Sequence, residues 1–237
     1  MPDPLRLREL LTPGDPALAR AYQILQETFP TSELIRAAEF LRAMTERAAG
    51  AWNDLLWHVV VGERGSLLNG VVTGTYLAAL NVGFVSYLAV DPKQRSRGIG
   101  HRLRRSLIEL FDGDAWHFHG RPAEAVVGEV EPHNPWLQRL IREQGAIALD
   151  VPYRQPSIRP GEPTVPLVLY YQPLQGRRTS LPVQEVRQIL FGIWHHAYRI
   201  VTPFSDPEFR EMMRALAGRD VVGGIQRPLE FAGASPD

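Results

Sequence analysis

The sequence predicts a mixed α+β fold in which a mostly antiparallel, twisted sheet is flanked by helices and followed by a helical C-terminal extension. Three observations lead to this prediction. Residues 55–90 contain three consecutive apolar and β-branched runs separated by short turns, as in an antiparallel meander. Residues 82–112 pass from a strand through a glycine turn directly into a helix. Residues 180–216 carry two amphipathic helical stripes beyond the last predicted strand.

The composition is that of an ordinary globular protein and narrows the chemistry that the chain can perform. Of the 237 residues, 44% are hydrophobic and 22% are charged, and the formal net charge is zero. A neutral chain has no global field that attracts nucleic acid or membranes, so we expect neither as a partner. The absence of cysteine excludes disulfides, thiolate nucleophiles and thiolate metal sites. No run is apolar enough to span a bilayer, and the first residues lack the apolar core of a signal peptide, so we expect a cytoplasmic location.

The elements before the glycine turn are two helices and then the meander. A helix is predicted over residues 15–27, because a proline stands in its first turn. A second helix is predicted over residues 31–49, with threonine and serine as capping residues and a glycine as its stop. The three strands are predicted at residues 55–62, 70–80 and 82–90.

The glycine turn itself is suited to binding phosphate. Asp91-Pro92 ends the strand, because proline lacks the N–H that the next ladder bond requires. The N–H groups of a first helical turn have no partner within the helix, and glycines at positions 98 and 100 let a ligand approach them closely. A diphosphate is the natural ligand for such a turn. Positive charge around it comes from Arg95, Arg97, His101 and Arg102.

Two other phosphate-binding loops do not match this turn. A P-loop needs a lysine directly after its last glycine, and a dinucleotide fingerprint needs a third glycine where Leu103 stands. An ordinary strand–helix turn that uses its glycines for packing remains the alternative. The pattern resembles the acetyl-CoA-binding motif of the GNAT superfamily of N-acyltransferases; it reads Arg95-x-x-Gly98-x-Gly100, behind a strand that ends Leu88-Ala89-Val90.

The resemblance implies acetyl-CoA, or another acyl-CoA, as co-substrate and no metal. In that family the loop amides hold the CoA diphosphate, and the preceding strand pairs with the pantetheine arm. The loop between the first two helices borders the acceptor site there, so residues 30–32 and the second predicted helix are acceptor-side candidates, with plain packing as the alternative. The resemblance implies co-substrate contacts from the strand end, from the glycine turn and from Asn134 at the start of a later helix. The full set is Leu88, Ala89, Val90, Arg95, Ser96, Arg97, Gly98, Ile99, Gly100, His101 and Asn134.

Further strands and one helix are predicted after the helix that follows the glycine turn. We predict a turn at residues 112–114, a strand at 123–131, a helix at 136–144, and strands at 146–153 and 165–171. His117 and His119 would share one face if residues 116–119 were extended, but no third ligand stands near them, so we expect no metal site.

The order of the elements suggests how the chain divides. From about residue 52 to residue 172 it is strand, strand, strand, helix, strand, helix, strand, strand, which resembles the core of the family. We therefore predict a GNAT-like acyl-CoA-binding domain over residues 1–172, with the N-terminal helices at 15–49. A helical extension is predicted over residues 173–237; one helix runs from residue 180 to about residue 199, and another starts at Asp206.

Candidate catalytic groups follow from what amine acylation requires. The amine must lose a proton, the thioester oxygen must be polarised, and the thiolate must be stabilised. The strand amides of Leu88 and Val90 match the family positions that polarise the oxygen. Glu129 and Glu131 are two residues apart on a predicted strand and would share a face, so either is a candidate base; a solvated sheet face is the alternative.

One family feature is missing from the downstream helix. Many members carry a tyrosine there that serves as the general acid, and the matching position is Ile141. Tyr153, on the next predicted strand, is the substitute that we consider.

These observations predict an N-acyltransferase that moves an acetyl or other acyl group from acyl-CoA to a primary amine of a small molecule or protein. The alternative is a catalytically weak or inactive module that binds CoA as a sensor or serves protein interactions. A homodimer through the C-terminal helices is a further expectation, because their apolar stripes must be buried.

Overall fold

The structure is a computed structural model that describes residues 4–51, 55–159 and 161–225. The predicted start of the core near residue 52 and the end of the predicted extension lie outside these residues. The strand pairings within the two compact units described below are antiparallel, and helices cover the sheets, so the predicted mixed α+β class is confirmed. No helix in the described part of the chain is both long and apolar enough to cross a membrane.

The first compact unit comprises Met1–Ala123 with Ser157–Glu162. Its four strands are antiparallel neighbours in chain order, and the short first strand was not predicted from the sequence. The elements are β1 (Arg6–Glu9), α1 (Ala17–Gln26), α2 (Ala37–Ala48), β2 (Leu55–Arg64), β3 (Leu67–Leu77), β4 (Val82–Val90) and α3 (Ile99–His119). Short 3-10 turns at Ala78–Leu80 and Pro92–Gln94 flank β4.

The two faces of this sheet are covered by different helices. Helices α1 and α2 close an apolar cluster over one face, which includes Phe40, Trp57 and Tyr87. Helix α3 packs closely on the opposite face, where glycines of the strands replace side chains. A Cβ on Gly74 would lie 2.7 Å from Phe111 Cζ and 2.9 Å from Leu107 Cδ2, and a Cβ on Gly83 would overlap the Phe111 ring. The glycines therefore determine how closely α3 approaches the sheet. Helix α3 begins at the glycine turn.

We expect Gly83→Ala to destabilise the protein by about 1–3 kcal/mol, because the added methyl overpacks the fully buried Phe111 ring. Gly113→Ala is the matched control. Gly113 lies within α3 with nothing near its Cβ position, so alanine there should stabilise the helix by up to about 1 kcal/mol. Urea unfolding of both variants measures the difference. Equal effects of the two alanines would contradict this account of the packing.

The second compact unit comprises Glu124–Pro156 with Pro163–Asp237. Its sheet pairs β5 with β9 and β9 with β6. The elements are β5 (Ala125–Val130), α4 (Pro135–Gln144), β6 (Ile147–Ala148), β7 (Arg154–Gln155), β8 (Val165–Pro166), β9 (Val168–Pro173), β10 (Ser180–Pro182), α5 (Val183–Gly192), a π-helix (Ile193–Ala197), a 3-10 turn (Pro203–Ser205), α6 (Pro207–Ala215) and β11 (Val221–Gly223). Leu137 and Leu140 of α4 pack against Val168 and Tyr170 of β9.

Two predictions on the helices of the first unit were wrong. Helix α2 begins at Ala37 rather than near residue 31, because Glu39 caps it by accepting from the Arg36 N–H at 3.2 Å. The predicted turn at 112–114 is instead part of α3, which continues through residues 116–119. The buried stripe continues through Ala115, so the sheet contact outweighs the weak helix preference of one exposed glycine. His117 and His119 therefore do not share an extended face.

The predicted strands and helix ends of the second unit also need correction. The strand predicted to reach residue 131 ends at Val130, and the strand predicted over 146–153 is only Ile147–Ala148. The helix predicted from residue 180 begins at Val183 after a short strand, and its predicted last turns are the π-helix. Local residue patterns do not contain the pairing partners that decide such boundaries.

A buried charged network ties β1, β2 and α3 together. His58 is 5% exposed, and its ring nitrogens donate to Glu9 Oε1 at 2.5 Å and to Asp114 Oδ2 at 2.7 Å. Arg47 Nη2 donates to the same Glu9 oxygen at 2.6 Å. Burial alone would lower the pKa of His58, but the hydrogen bonds to Asp114 and Glu9 outweigh it, so the pKa is raised. The two carboxylates therefore favour the protonated form of this buried histidine.

We expect the stability of the protein to fall as the pH rises above about 6.5, the ordinary pKa of histidine. Since the folded state holds the His58 proton more tightly than the unfolded state, its contribution is complete below that pH and is lost as the pH rises through the raised pKa. The slope is at most about 1.4 kcal/mol per pH unit. Urea unfolding at several pH values should show this fall in stability in the wild type and in His117→Gln, which changes an exposed histidine. If the same fall persists in His58→Gln, groups other than His58 cause it.

Candidate active site

The side of β4 that faces away from β3 presents backbone amides just before the glycine turn. The Asp91 N–H donates to the Asn69 carbonyl at 2.9 Å, so this pair is hydrogen-bonded across β3 and β4. Hydrogen-bonded and non-bonded pairs alternate in an antiparallel ladder. In the observed register Val90 faces Gly70, one position from the bonded pair, so Val90 and Gly70 form a non-bonded pair. Leu88, two residues earlier, is likewise in a non-bonded pair, with Val72. The N–H groups of Leu88 and Val90 therefore point away from β3, while those of Ala89 and Asp91 point towards it.

The turn after this edge directs further N–H groups outwards. Gly98 is the N-cap of α3 with φ +72°, and Ser96 also has a left-handed φ of +62°. The first intrahelical bond is donated by the Arg102 N–H to the Gly98 carbonyl at 3.1 Å. By helix geometry the N–H groups of Ile99, Gly100 and His101 then have no partner within the helix. The positive end of the helix dipole lies at the same point.

The side chains around the turn favour an anion. Arg95, Arg97 and His101 are exposed, and Arg95 Nε lies 3.4 Å from the Val90 carbonyl. The one carboxylate in the turn, Asp91, is neutralised by an ion pair with Arg20 at 3.0 Å. No atom lies within 4 Å of a Cβ position on Gly98, so the backbone there is open to a ligand. Amide donors, basic side chains and open space together fit the phosphate groups of an acyl-CoA.

Two tyrosine hydroxyls hold the loop between α1 and α2. Tyr22 donates to the Ile35 carbonyl at 2.7 Å. Tyr87, on β4, donates to the Glu33 carbonyl at 2.9 Å and accepts from the Ile35 N–H at 3.3 Å. The acceptor-side candidates at residues 30–32 thus belong to a turn tethered to the strand that also carries Leu88 and Val90.

The second unit contains a carboxylate clamped by two phenols. Glu129, near the end of β5, accepts from the Tyr153 hydroxyl at 2.5 Å through Oε1 and from the Tyr198 hydroxyl at 2.8 Å through Oε2. Tyr153 is 1% exposed, and burial together with the Glu129 charge raises its pKa well above the ordinary value. Tyr153 therefore stays protonated and acts as a donor to Glu129. The structure thus brings together two of the three predicted catalytic residues.

The other predicted positions lie elsewhere. Glu131 is exposed and lies one residue beyond the end of β5, so it is not part of the strand that carries Glu129. The side-chain oxygen of Asn134 caps α4 by accepting from the Trp136 N–H at 3.0 Å. Ile141 is partly exposed on α4, where the family tyrosine was expected. In the described residues, no three or more histidine, aspartate or glutamate side chains are grouped to hold a metal ion.

Sequence reasoning missed Tyr198 altogether. It directly follows the π-helix Ile193–Ala197, and Arg199 after it has a left-handed φ of +59°. No local pattern distinguishes this tyrosine from a residue on a continuing α-helix. The signal that it belongs with Glu129 exists only in the folded chain.

A sequence model of the acetyltransferase (GNAT) family matches residues 18–146, more than half of the chain. The chain belongs to the GNAT family. The matched range includes β4, the glycine turn, α3 and Glu129. Members of this family are acetyltransferases that use acetyl-CoA as the acyl donor, so the chain has the fold and the motif of an acyltransferase.

Solved structures share the fold at low sequence identity. A GNAT-family protein from Bacteroides thetaiotaomicron has a TM-score of 0.59 and 20% identity, over 82% of this chain and 99% of its own. An Acinetobacter baylyi protein described as an acetyltransferase has a TM-score of 0.52 and 17% identity, over 72% of this chain and 93% of its own. The Salmonella typhimurium protein yncA, solved with its cofactor acetyl-CoA, has a TM-score of 0.51 and 15% identity, over 74% of this chain and 97% of its own.

Proposed function

We propose that this GNAT-family protein transfers an acetyl group, or another acyl group, from acyl-CoA to a primary amine of a small molecule or protein. The observation that carries the proposal is the row of backbone donors from Leu88 and Val90 to the first turn of α3. Such a row matches the diphosphate and pantetheine of CoA in both charge and direction.

The first unit has the groups for holding the acyl donor. We assign the diphosphate to the N–H groups of residues 98–101, with Arg95 and Arg97 neutralising its charge. The Leu88 and Val90 amides are assigned to the pantetheine arm and to the thioester oxygen, where an N–H stabilises developing negative charge. Bound acyl-CoA supplies the activated acyl group and its thiolate leaving group.

The second unit has the group for the proton. We assign Glu129 as the base that takes a proton from the incoming ammonium, directly or through water. The amine nitrogen then forms a bond to the carbonyl carbon, and the carbon–sulfur bond breaks. The amide nitrogen loses its second proton as the thiolate leaves. One of the two released protons neutralises the thiolate, and the other goes to solvent.

The general acid of the family has no counterpart at Ile141. The Tyr153 hydroxyl does not replace it well, because it is fully buried, has a strongly raised pKa and donates to Glu129. We therefore assign Tyr153 to holding Glu129. The thiolate then leaves without a tyrosine donor, or takes its proton from the newly protonated Glu129.

An amine panel with thiol detection tests the proposal. The full chain would be incubated with acetyl-CoA and separate amines (a polyamine, an aminoglycoside, amino acids and a lysine peptide), and free CoA and the acetylated product would be quantified. Equal amounts of CoA and acetylated amine from at least one acceptor are expected. Acetyl-CoA binding without any product would favour the sensor alternative, for which the missing tyrosine at Ile141 is the supporting observation.

Oligomeric state and location stay predictions. A homodimer through the C-terminal helices predicts twice the chain mass of 26.7 kDa in solution, which light scattering measures directly. A monomer mass would remove the homodimer from the proposal and leave the acyltransferase assignment unchanged.

A further inference from the structure

The segment after the core strands contributes a side chain to Glu129. The two oxygens of this carboxylate accept from different parts of the second unit: Oε1 from Tyr153, before β7, and Oε2 from Tyr198, after the π-helix. These two phenols are 45 residues apart in the chain. Glu129 is thus oriented by a residue that lies outside the matched range 18–146.

The backbone around Tyr198 places the Tyr198 hydroxyl next to Glu129. The Tyr198 N–H donates to the Ile193 carbonyl at 3.0 Å, five residues back, as in a π-helix rather than an α-helix. The extra residue per turn rotates every later side chain relative to a regular helix. Arg199 then adopts a left-handed φ of +59°, a costly conformation for a non-glycine residue, which ends the helix directly after Tyr198.

The same segment is anchored so that the rotation is maintained. Trp194 within the π-helix is fully buried and packs against Phe209 of α6 at 5.1 Å between ring centroids. The Ile200 N–H donates to the Trp194 carbonyl at 3.1 Å, and the His195 ring nitrogen lies 3.0 Å from the Ile200 carbonyl. These contacts surround Tyr198 on both sides in sequence and restrict where its hydroxyl can be placed.

We propose that Tyr198 is a positioning residue for Glu129: its hydroxyl, together with that of Tyr153, fixes the orientation of the Glu129 carboxylate. Hydrogen-bond donors to a carboxylate favour its charged form over its neutral form. The role of Glu129 as the base rests on the proposed function; the effect of Tyr198 on the Glu129 carboxylate does not.

The positioning role of Tyr198 is tested by the titration of Glu129 itself. Carbon-13 NMR of glutamate carboxyl carbons, with the Glu129 signal assigned from Glu129→Gln, gives the pH at which this group takes up a proton. We expect Tyr198→Phe to raise that midpoint by about one pH unit, because a hydrogen bond to a charged group is lost. Tyr153→Phe should move it in the same direction.

Tyr171→Phe is the matched control, since it removes a phenol hydroxyl from the same unit. That hydroxyl accepts from Arg178 at 3.1 Å rather than donating to Glu129, so we expect the Glu129 midpoint to stay unchanged. An unchanged midpoint in Tyr198→Phe, with the protein folded by circular dichroism, would overturn the positioning role. A shift of the same size in all three variants would also overturn it, because the effect would then not be specific to the cluster.

A second readout follows the reaction. With the best acceptor from the amine panel, we expect the acid side of the kcat/KM pH profile to move in Tyr198→Phe by the same amount as the NMR midpoint. An acid side that does not move, with the midpoint shifted, would overturn the link between Tyr198 and the base. A lack of turnover with every amine would count against the proposed function, and the NMR result would still stand.

Discussion

Gly98→Glu is expected to weaken acetyl-CoA binding at least tenfold while leaving the fold intact. Gly98 is the N-cap of α3, has an open Cβ position and adjoins the N–H groups that we assign to the diphosphate. A glutamate there would place a negative charge and five heavy atoms where phosphate oxygens are expected. Two like charges about 4 Å apart repel by about 1 kcal/mol in water and by more near a protein surface, and a diphosphate carries more than one charge. Isothermal calorimetry with acetyl-CoA measures the loss.

Gly120→Glu is the matched control for this variant. Gly120 has the same left-handed backbone, with φ +62°, an equally open Cβ position, and lies at the opposite end of the same helix. The substitution imposes similar backbone strain and the same charge, so the two variants should have similar melting temperatures. Acetyl-CoA affinity should be lost only in Gly98→Glu. If both variants bind like the wild type, the glycine turn is an ordinary strand–helix turn and the assignment of the diphosphate is wrong.

Glu129→Gln is expected to lower kcat by about 100- to 10,000-fold, the usual range for the loss of a general base. Glutamine has a similar shape and keeps one oxygen that accepts from a phenol, but it cannot take a proton. The affinity for acetyl-CoA should change little, because the diphosphate is assigned to other residues. Steady-state kinetics with the best acceptor from the amine panel, together with calorimetry, separates the two effects.

Two further glutamine variants make this result interpretable. Glu143→Gln removes an exposed carboxylate of α4 and should keep the wild-type rate. Glu131→Gln distinguishes between the two carboxylates that the sequence offered, and its position beyond the end of β5 predicts a rate near that of the wild type. A large loss in Glu131→Gln with none in Glu129→Gln would reverse the assignment of the base.

The glycine turn shows what can be predicted from a local pattern. A strand, a proline, two glycines and an amphipathic helix are contiguous, so their backbone geometry follows from residue-level preferences over residues 82–112. The family assignment rests on the same residues. The meander and α6 were predicted for similar reasons, because period-two and period-3.6 patterns report directly which face is buried.

The corrected elements show where a local pattern stops being sufficient. Gly113 was interpreted as a turn because glycine weakens a helix, but the contact of α3 with the sheet carries the helix through it. His58 stands in an apolar run of β2, yet its two carboxylate partners come from β1 and α3, more than 45 residues away in either direction. Neither partner has a sequence pattern that connects it to His58.

The sequence alone therefore determined the fold class, the family resemblance and the position of the glycine turn, because each depends on residues that are adjacent in the chain. Only the tertiary structure showed that Glu129, and not Glu131, lies on β5 and accepts from Tyr153 and Tyr198. That arrangement depends on where β5 ends and on the π-helix rotating one tyrosine towards Glu129. Both are consequences of long-range packing, in which residues 69 positions apart are brought to 2.8 Å.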